Sequence, residues 1–248
     1  MKLSSGVSAE TDYKIRDQQR MQRAPNYFEW QARLTCPQLG QRVMEIGCGL
    51  GNFTRHLLDR ECVVGIDVDA ECVAQLERNL GTPPNLTARH MDILDDAAVN
   101  LREHRIDSVV CLNVLEHVSD DHRALRQMAA LLPPGGRVVL IVPAFEALYG
   151  PIDSKLGHYR RYSKASLRAL AAATNFRVTQ LRYMNLIGFF GWWFNARVLK
   201  KEEQSDAQIA AFDKIVVPVI SRFERLLPPP LGQSLFVVLE KEAGQAGA

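Results

Sequence analysis

Short apolar runs alternate with amphipathic stretches along most of this chain. The runs are rich in β-branched residues, and as predicted strands they end at Ile46, Asp67, Asp92, Val114 and Pro143. Helix-compatible segments separate them, including "NFTRHLLDR", "AECVAQLERNL" and a stretch from about Asp120 to Leu131. Strands and helices that alternate at this length favour right-handed βαβ units and a mostly parallel sheet covered on both faces. The pattern therefore predicts a doubly wound α/β fold.

The last part of the chain departs from this alternation. The segments "FRVTQLRYM" and "SLFVVLEK" are predicted strands, and a mostly helical insertion at 185–232 separates them. Pro218 interrupts the amphipathic stretch of the insertion, so we expect a kink or two shorter helices there.

The first 40 residues are expected to form a helical cap, with Tyr27, Phe28 and Trp30 on its inner face. The alternative is a solvated tail that extends up to Arg23. With a core at 41–184 and 233–241, the whole chain is expected to fold as one domain of 248 residues.

Composition narrows the class of partner. The formal net charge is +2, so the whole molecule has no strong attraction for nucleic acid or an anionic membrane. The five cysteines form no C-x-x-C pair, which fits reduced buried thiols better than disulfides or zinc. The amino terminus lacks an apolar signal region, and the longest apolar run, Leu186–Phe194, is too short to span a bilayer. We expect a cytoplasmic enzyme.

The stretch "VMEIGCGLGNF" is the strongest chemical signal, because three glycines at 47, 49 and 51 follow the first strand directly. A dinucleotide site has the spacing G-x-G-x-x-G, whereas here the third glycine comes one residue early. Glu45 stands two residues before the first glycine, where a carboxylate suits an ammonium group better than a phosphate. S-adenosylmethionine is such a ligand, and Asp67 and Asp92 end the second and third strands, where its ribose and adenine would lie.

The sequence resembles the class I S-adenosylmethionine-dependent methyltransferases, in particular a small-molecule subgroup. The resemblance rests on the glycine motif followed, in this order, by "VVGIDVD", "HMDI", "IDSVVCLNVLEHV" and "LLPPGGRVVLIVP". The resemblance implies a Rossmann-like, seven-stranded, mostly parallel sheet with an antiparallel last strand. It also implies S-adenosyl-L-methionine as the methyl donor, with S-adenosyl-L-homocysteine as the product.

The same resemblance assigns roles to single residues. It places Glu45, Gly47 and Gly49 at the methionine part, Asp67 at the ribose hydroxyls, Asp92 and Ile93 at the adenine, and Asn113 near the methionine moiety. Cys48, Gly51 and Val68 belong to the same loops and complete the expected cofactor-binding set.

Residues for the chemical step are less visible, since the cofactor carries most of the reactivity of methyl transfer. His117, in the loop after the fourth strand, is the first candidate base, and packing against the next helix is its alternative role. A second dense segment, "ALYGPIDSKLGHYRRYSKASL", adds His158, Tyr159 and Arg161. Arg161 and its neighbour Arg160 suit an acceptor carboxylate or phosphate, but such pairs are also often solvated or salt-bridged.

The aromatic run "LIGFFGWWF" allows three interpretations. It is the core of the helical insertion, the wall of a pocket for an apolar acceptor, or a contact with a membrane or a second subunit.

The favoured function is methyl transfer to a small-molecule or lipid-like acceptor held by the loops after strands 4 and 5. A protein or peptide methyltransferase is the alternative, and an oxidoreductase or a non-catalytic cofactor binder is more distant. The Asn/Asp-Pro-Pro-aromatic motif of nucleic-acid amine methyltransferases is absent, so no nucleic-acid partner is expected. No metal site is expected, because the acids near Asp92, Asp95 and Asp96 lack accompanying ligands.

Overall fold

A single seven-stranded sheet runs through the molecule in the computed structural model, which describes residues 16, 18–194 and 205–243. Its order is β3-β2-β1-β4-β5-β7-β6, and β7 runs antiparallel to both β5 and β6. The strands are β1 Arg42–Ile46, β2 Cys62–Asp67, β3 Leu86–His90, β4 Ser108–Leu112, β5 Arg137–Pro143, β6 Phe176–Met184 and β7 Ser234–Lys241. The predicted fold class is confirmed, including the antiparallel last strand.

Helices cover both faces of this sheet. They are α1 Pro25–Thr35, α2 Ala70–Leu80, α3 Asp121–Leu131, α4 Pro151–Leu156, α5 Lys164–Ala172, α6 Leu186–Phe194, α7 Asp206–Ala211 and α8 Val217–Leu226. Adjacent strand residues face opposite layers: Met44 and Val109 pack in one apolar core, while Val43 and Val110 pack in the other. Two covered faces explain why the strands are almost continuously apolar.

Polar residues fix where several helices begin. Asp69 Oδ1 accepts a hydrogen bond from Glu71 N at 2.8 Å, and Asp120 Oδ1 accepts one from Arg123 N at 2.8 Å. Ser163 caps α5 in the same way. A side-chain oxygen before an amphipathic run satisfies the first free amides of a helix, which explains why the helices begin at these residues.

Three boundaries differ from the sequence prediction. Strand β4 ends at Leu112, before Val114, because Asn113 adopts a positive φ angle that does not continue a strand. The segment after the glycine turn forms a 3₁₀ helix at Thr54–Leu57 where a longer helix was expected, since few residues separate Gly51 from β2. Strand β3 ends at His90, before Asp92, because the β2–β3 pairing ends at Asp67–His90.

The helical insertion is tied to the amino-terminal cap. A π-helical segment, Phe212–Val216, precedes α8, and Pro218 lies in the first turn of α8, which confirms the predicted interruption. Asp213 in this segment accepts hydrogen bonds from Asn26 N at 3.2 Å and Tyr27 N at 2.8 Å, at the start of α1. Both elements are thereby held over one end of the sheet.

Helix α6 carries the aromatic run. Buried Glu224 of α8 accepts hydrogen bonds from Asn185 N and Leu186 N at 2.9 and 2.8 Å, so that α8 caps the start of α6. Among the residues that the structure describes, no helix combines the length and apolarity needed to cross a membrane. The basic end of the insertion at 200–201 and the first 15 residues of the expected cap lie outside the described residues.

Candidate active site

A cavity of about 660 Å³ opens at the carboxyl ends of β1, β2 and β4. Its walls include the glycine turn, the loops after β4 and β5, helix α1 and the helical insertion. A volume of this order suits a small ligand held inside the protein. The predicted site residues that line it are Glu45, Gly47, Cys48, Gly49, Asp67, Val68, Asp92, Ile93, Asn113, His117, His158 and Arg161.

The glycine turn needs its glycines for conformation and for space. Gly47 and Gly49 have φ angles of +74° and +50°, in the left-handed region that side chains rarely adopt. A Cβ on Gly47 would collide with Val114, and one on Gly49 would collide with Gln18. Gly51 also has a positive φ, but its missing Cβ would face Leu80 of α2 at 2.9 Å. Gly51 therefore serves helix packing and does not line the cavity.

Asp67 fastens this turn to β2. Its Oδ2 accepts a hydrogen bond from Gly49 N at 2.9 Å, and its Oδ1 accepts one from Asp69 N at 3.0 Å. Burial raises the pKa of Asp67, although these amide donors favour the charged form. Each carboxylate oxygen has a second lone pair, which leaves room for a ligand hydroxyl.

The adenine side was predicted at Asp92 and Ile93. Asp92 Oδ1 accepts a hydrogen bond from Leu94 N at 2.8 Å, which shapes the loop after β3, and Ile93 is buried beside it. Asn113 follows β4 with φ +54°, an uncommon conformation that asparagine tolerates better than most residues. Because all three residues line the cavity, the structure brings them together with the glycine turn.

Glu45 gives the clearest sign of a cationic ligand. It is 4% exposed, and its Oε2 has no hydrogen-bond partner among the described residues. Burial raises the pKa of Glu45 to about 8, and the nearby Asp67 adds to this shift. A buried carboxylate oxygen without a partner costs free energy unless a ligand supplies a donor or a positive charge. The residues present therefore fit the ammonium group of S-adenosylmethionine.

A buried ion-pair network supports the other side of the cavity. Asp153 Oδ1 lies 2.8 Å from His158 Nδ1 and 2.9 Å from both Nε and Nη2 of Arg161. These partners lower the pKa of Asp153 against the effect of its burial. The Arg161 guanidinium also lies over the Trp192 ring, 4.7 Å from its centroid. Since Asp153 already balances its charge, Arg161 positions the loop and Trp192.

Two imidazoles meet at this wall. The His117 and His158 ring centroids lie 4.6 Å apart, edge to face. Glu116, 1% exposed, lies in the same cluster, and burial raises its pKa to about 8. Tyr159 N donates to Glu116 O at 2.8 Å, which joins the loops after β4 and β5.

Tyr159 is the predicted catalytic residue that the structure places elsewhere. Its side chain is 61% exposed and does not line the cavity, and its ring instead lies 5.8 Å from the Arg160 guanidinium. Arg160 is ion-paired with Asp121 at 2.8 Å, and Arg161 with Asp153. Of the roles that the sequence leaves open for the arginine pair, the structure shows salt bridges to carboxylates of the protein.

Several cavity residues escaped the sequence prediction. Gln18 Oε1 accepts a hydrogen bond from Leu50 N at 3.0 Å, which brings the amino-terminal segment onto the glycine turn. Gln31 of α1 is buried in the cavity wall, and its Nε2 has no partner within the described part of the chain. Neither residue belongs to a recognisable motif. Glu116, by contrast, adjoins His117 in sequence and was detectable.

Comparison with known proteins places this geometry in context. The model of a methyltransferase domain family matches residues 15–181. A ubiquinone biosynthesis O-methyltransferase from Albidiferax ferrireducens is 35% identical over 117 residues, which cover 46% of this chain and 45% of that protein. The namesake from Vibrio vulnificus is 38% identical over 102 residues, with coverage of 40% and 42%. The chain thus spans less than half the length of these curated relatives.

Solved structures show the same fold. A methyltransferase bound to the Trm112 activator from Haloferax volcanii superposes with a TM-score of 0.63 at 18% identity, covering 96% of this chain and 97% of that one. Geranyl diphosphate C-methyltransferase from Streptomyces coelicolor gives 0.58 at 14% identity, with coverage of 85% and 76%. At these identities the likeness concerns the fold alone.

The pKa of Glu45 leads to a prediction for Glu45→Gln. The pKa of about 8 lies above the unfolded value of 4.5, so between these pH values the folded protein retains a proton that the unfolded chain releases. Stability of the ligand-free protein therefore falls as pH rises through this window. The Tm difference between Glu45→Gln and wild type should therefore grow in favour of the variant by about 2–4 °C as the pH rises from 5 to 8, which corresponds to about 1 kcal/mol.

The same variant should bind S-adenosylhomocysteine about tenfold more weakly at pH 8, because the ligand ammonium loses a charged partner. Thermal melts and calorimetric titrations measure both effects, with the exposed Glu71→Gln as control. Identical melts and affinities for Glu45→Gln and wild type would contradict this assignment of Glu45.

Proposed function

Because the chain belongs to the methyltransferase domain family, within the class I S-adenosylmethionine-dependent enzymes, we propose that it transfers a methyl group to a hydroxyl of a small, largely apolar molecule. The observation that carries this proposal is a single cavity lined both by Glu45, whose Oε2 has no hydrogen-bond partner among the described residues, and by the His117–His158 pair. O-methyltransferases among the relatives support oxygen as the acceptor atom.

On the cofactor side, the residues act by binding and orientation. Glu45 pairs with the ammonium group, Asp67 accepts hydrogen bonds from the ribose hydroxyls, and Asp92 with Ile93 holds the adenine. S-adenosylmethionine, when bound, supplies the sulfonium methyl group. The glycine turn allows the backbone to approach the ligand closely, and α1 with the insertion covers part of the cavity.

On the acceptor side, the loops after β4 and β5 align the hydroxyl for in-line displacement. Positioning of this kind supplies much of the rate, since aligned reacting atoms lie about 3 Å apart before reaction. We propose that an imidazole of the wall formed by His117 and His158 accepts the hydroxyl proton. Asp153 fixes the orientation of the His158 ring. Trp192 of α6, with Ile152 and Leu156 of α4, provides an apolar wall for the rest of the acceptor.

Methyl-labelled S-adenosylmethionine tests this function. Purified protein is incubated with the labelled donor and an extract of its source cells, and the label is partitioned between organic, aqueous and acid-precipitable fractions. We expect label in the organic fraction, in a product whose hydroxyl has become a methyl ether by mass spectrometry. Gly47→Ala, whose Cβ collides with Val114, should transfer no label. Label mainly in the precipitate would contradict the proposal and favour a protein or peptide acceptor.

An apolar acceptor would partition into a membrane, so we consider which surface of the protein could contact one. Helix α6 buries Trp192 in the cavity wall but exposes Phe190 and Trp193, 55% and 47% of whose surfaces are accessible. Helix α8, which caps α6, exposes Phe223 and Leu226 together with Arg222 and Arg225. Exposed aromatic and apolar side chains beside arginines suit the surface of an anionic membrane. We assign this face, Leu186–Phe194 with α8, to a peripheral membrane contact in the cytoplasm, where the five unpaired cysteines stay reduced.

Co-sedimentation with anionic phospholipid vesicles tests this contact. The double variant Phe190→Ser/Trp193→Ser should lose most of the bound fraction, because both side chains leave water on binding. Val99→Ser, which alters an exposed apolar residue on another element, should bind like wild type. Absence of vesicle binding by the wild-type protein would contradict the membrane assignment. If the wild-type protein is a dimer and the double variant is a monomer, this face is the contact with a second subunit.

A further inference from the structure

Three side chains with metal-binding atoms converge on the cavity wall. Glu116, His117 and His158 each offer one ligand atom, and these atoms all lie within 4.8 Å of one another. They come from separate loops, Glu116 and His117 after β4 and His158 after α4. The fold, and not the local sequence, therefore assembles the cluster.

One oxygen of the Glu116 carboxylate lacks a hydrogen-bond partner among the residues that the structure describes. Glu116 is only 1% exposed, and its buried Oε2 makes no hydrogen bond within the described residues. An acceptor oxygen withdrawn from water in this way costs free energy unless a donor or a cation compensates it. Glu116 lines the cavity together with both histidines, so a cation bound between the three ligand atoms would lie at the cavity wall.

The His158 ring has a carboxylate behind it. Its Nδ1 lies 2.8 Å from Asp153 Oδ1, and Arg161 holds Asp153 in turn. This contact fixes the tautomer with the proton on Nδ1 and leaves Nε2 as the ligand atom. A carboxylate in this relation to an imidazole is the usual support of metal-binding histidines, because it orients the ring and raises its basicity.

We propose that Glu116, His117 and His158 bind a divalent transition-metal cation such as Zn²⁺. Two imidazoles and one carboxylate favour such ions over Mg²⁺, which prefers oxygen ligands. Three protein ligands leave coordination positions open toward the cavity, as in catalytic zinc sites. The role of the cation rests on the proposed function: it would bind the acceptor oxygen and lower the pKa of its hydroxyl, and with the cation in place the proton would pass to water, because an imidazole that ligates the cation cannot also accept it. The sequence alone predicts no metal site, because the acids near Asp92 lack accompanying ligands and His158 lies far along the chain from Glu116 and His117.

Metal binding can be measured without cofactor or acceptor. Tag-free, chelator-stripped protein is titrated with Zn²⁺ by calorimetry, and with Co²⁺ by visible absorption, which reports imidazole coordination. Wild type should bind one equivalent. Glu116→Gln and His158→Asn should each weaken binding at least 10–100-fold, the range seen when even a supporting residue is lost. His122→Asn, on the exposed side of α3, should bind like wild type.

Circular dichroism of each variant establishes that the fold is intact. Wild type without stoichiometric binding, or Glu116→Gln and His158→Asn that both bind like wild type, would overturn the site. Undiminished methyl transfer by the stripped protein in the presence of chelator would overturn the role of the cation while leaving the proposed function standing. Stoichiometric Zn²⁺ binding without methyl transfer to any hydroxyl would support the site and count against the proposed function.

Discussion

The Asp67 carboxylate, buried at the end of β2, is the contact on which the cofactor side of the molecule depends. By accepting the amides of Gly49 and Asp69, it ties the glycine turn of one strand to the helix start of the next. The turn can adopt its left-handed angles only with glycine, and its path exposes Glu45 to the cavity. One carboxylate thus organises two loops while retaining capacity for a ligand.

A second buried carboxylate organises the opposite wall. Asp153 orients His158 and neutralises Arg161, and the Arg161 guanidinium supports Trp192. Burial of these charges costs desolvation free energy, which their mutual attraction and hydrogen bonds offset, and the paired groups keep a fixed geometry. A fixed geometry suits the proposed role of this wall, which is to present imidazoles to an acceptor. The cavity is therefore built between two rigid polar anchors, and helices from both ends of the chain close it.

Much of this fold could be predicted because its signals are local. Helix α2 and strands β5, β6 and β7 match their predicted segments, since each has a cap, a turn or a change of periodicity at its ends. The glycine turn, Asp67 and Asp92 were also predictable, because each stands directly after a strand. Contacts between distant segments gave no such signal. Gln18 reaches the glycine turn from the amino-terminal segment, and Arg161 turns inward only because Asp153 is there to pair with it.

The central claim is that the cavity holds S-adenosylmethionine with its ribose at Asp67. Calorimetric titration of S-adenosylhomocysteine into wild-type protein and Asp67→Asn tests it most directly. We predict one site per chain, with affinity about 10- to 100-fold lower in the variant, because a hydrogen bond to a charged acceptor contributes about 1.5–3 kcal/mol. Absence of binding to the wild-type protein, or equal affinity in correctly folded Asp67→Asn, would contradict the account.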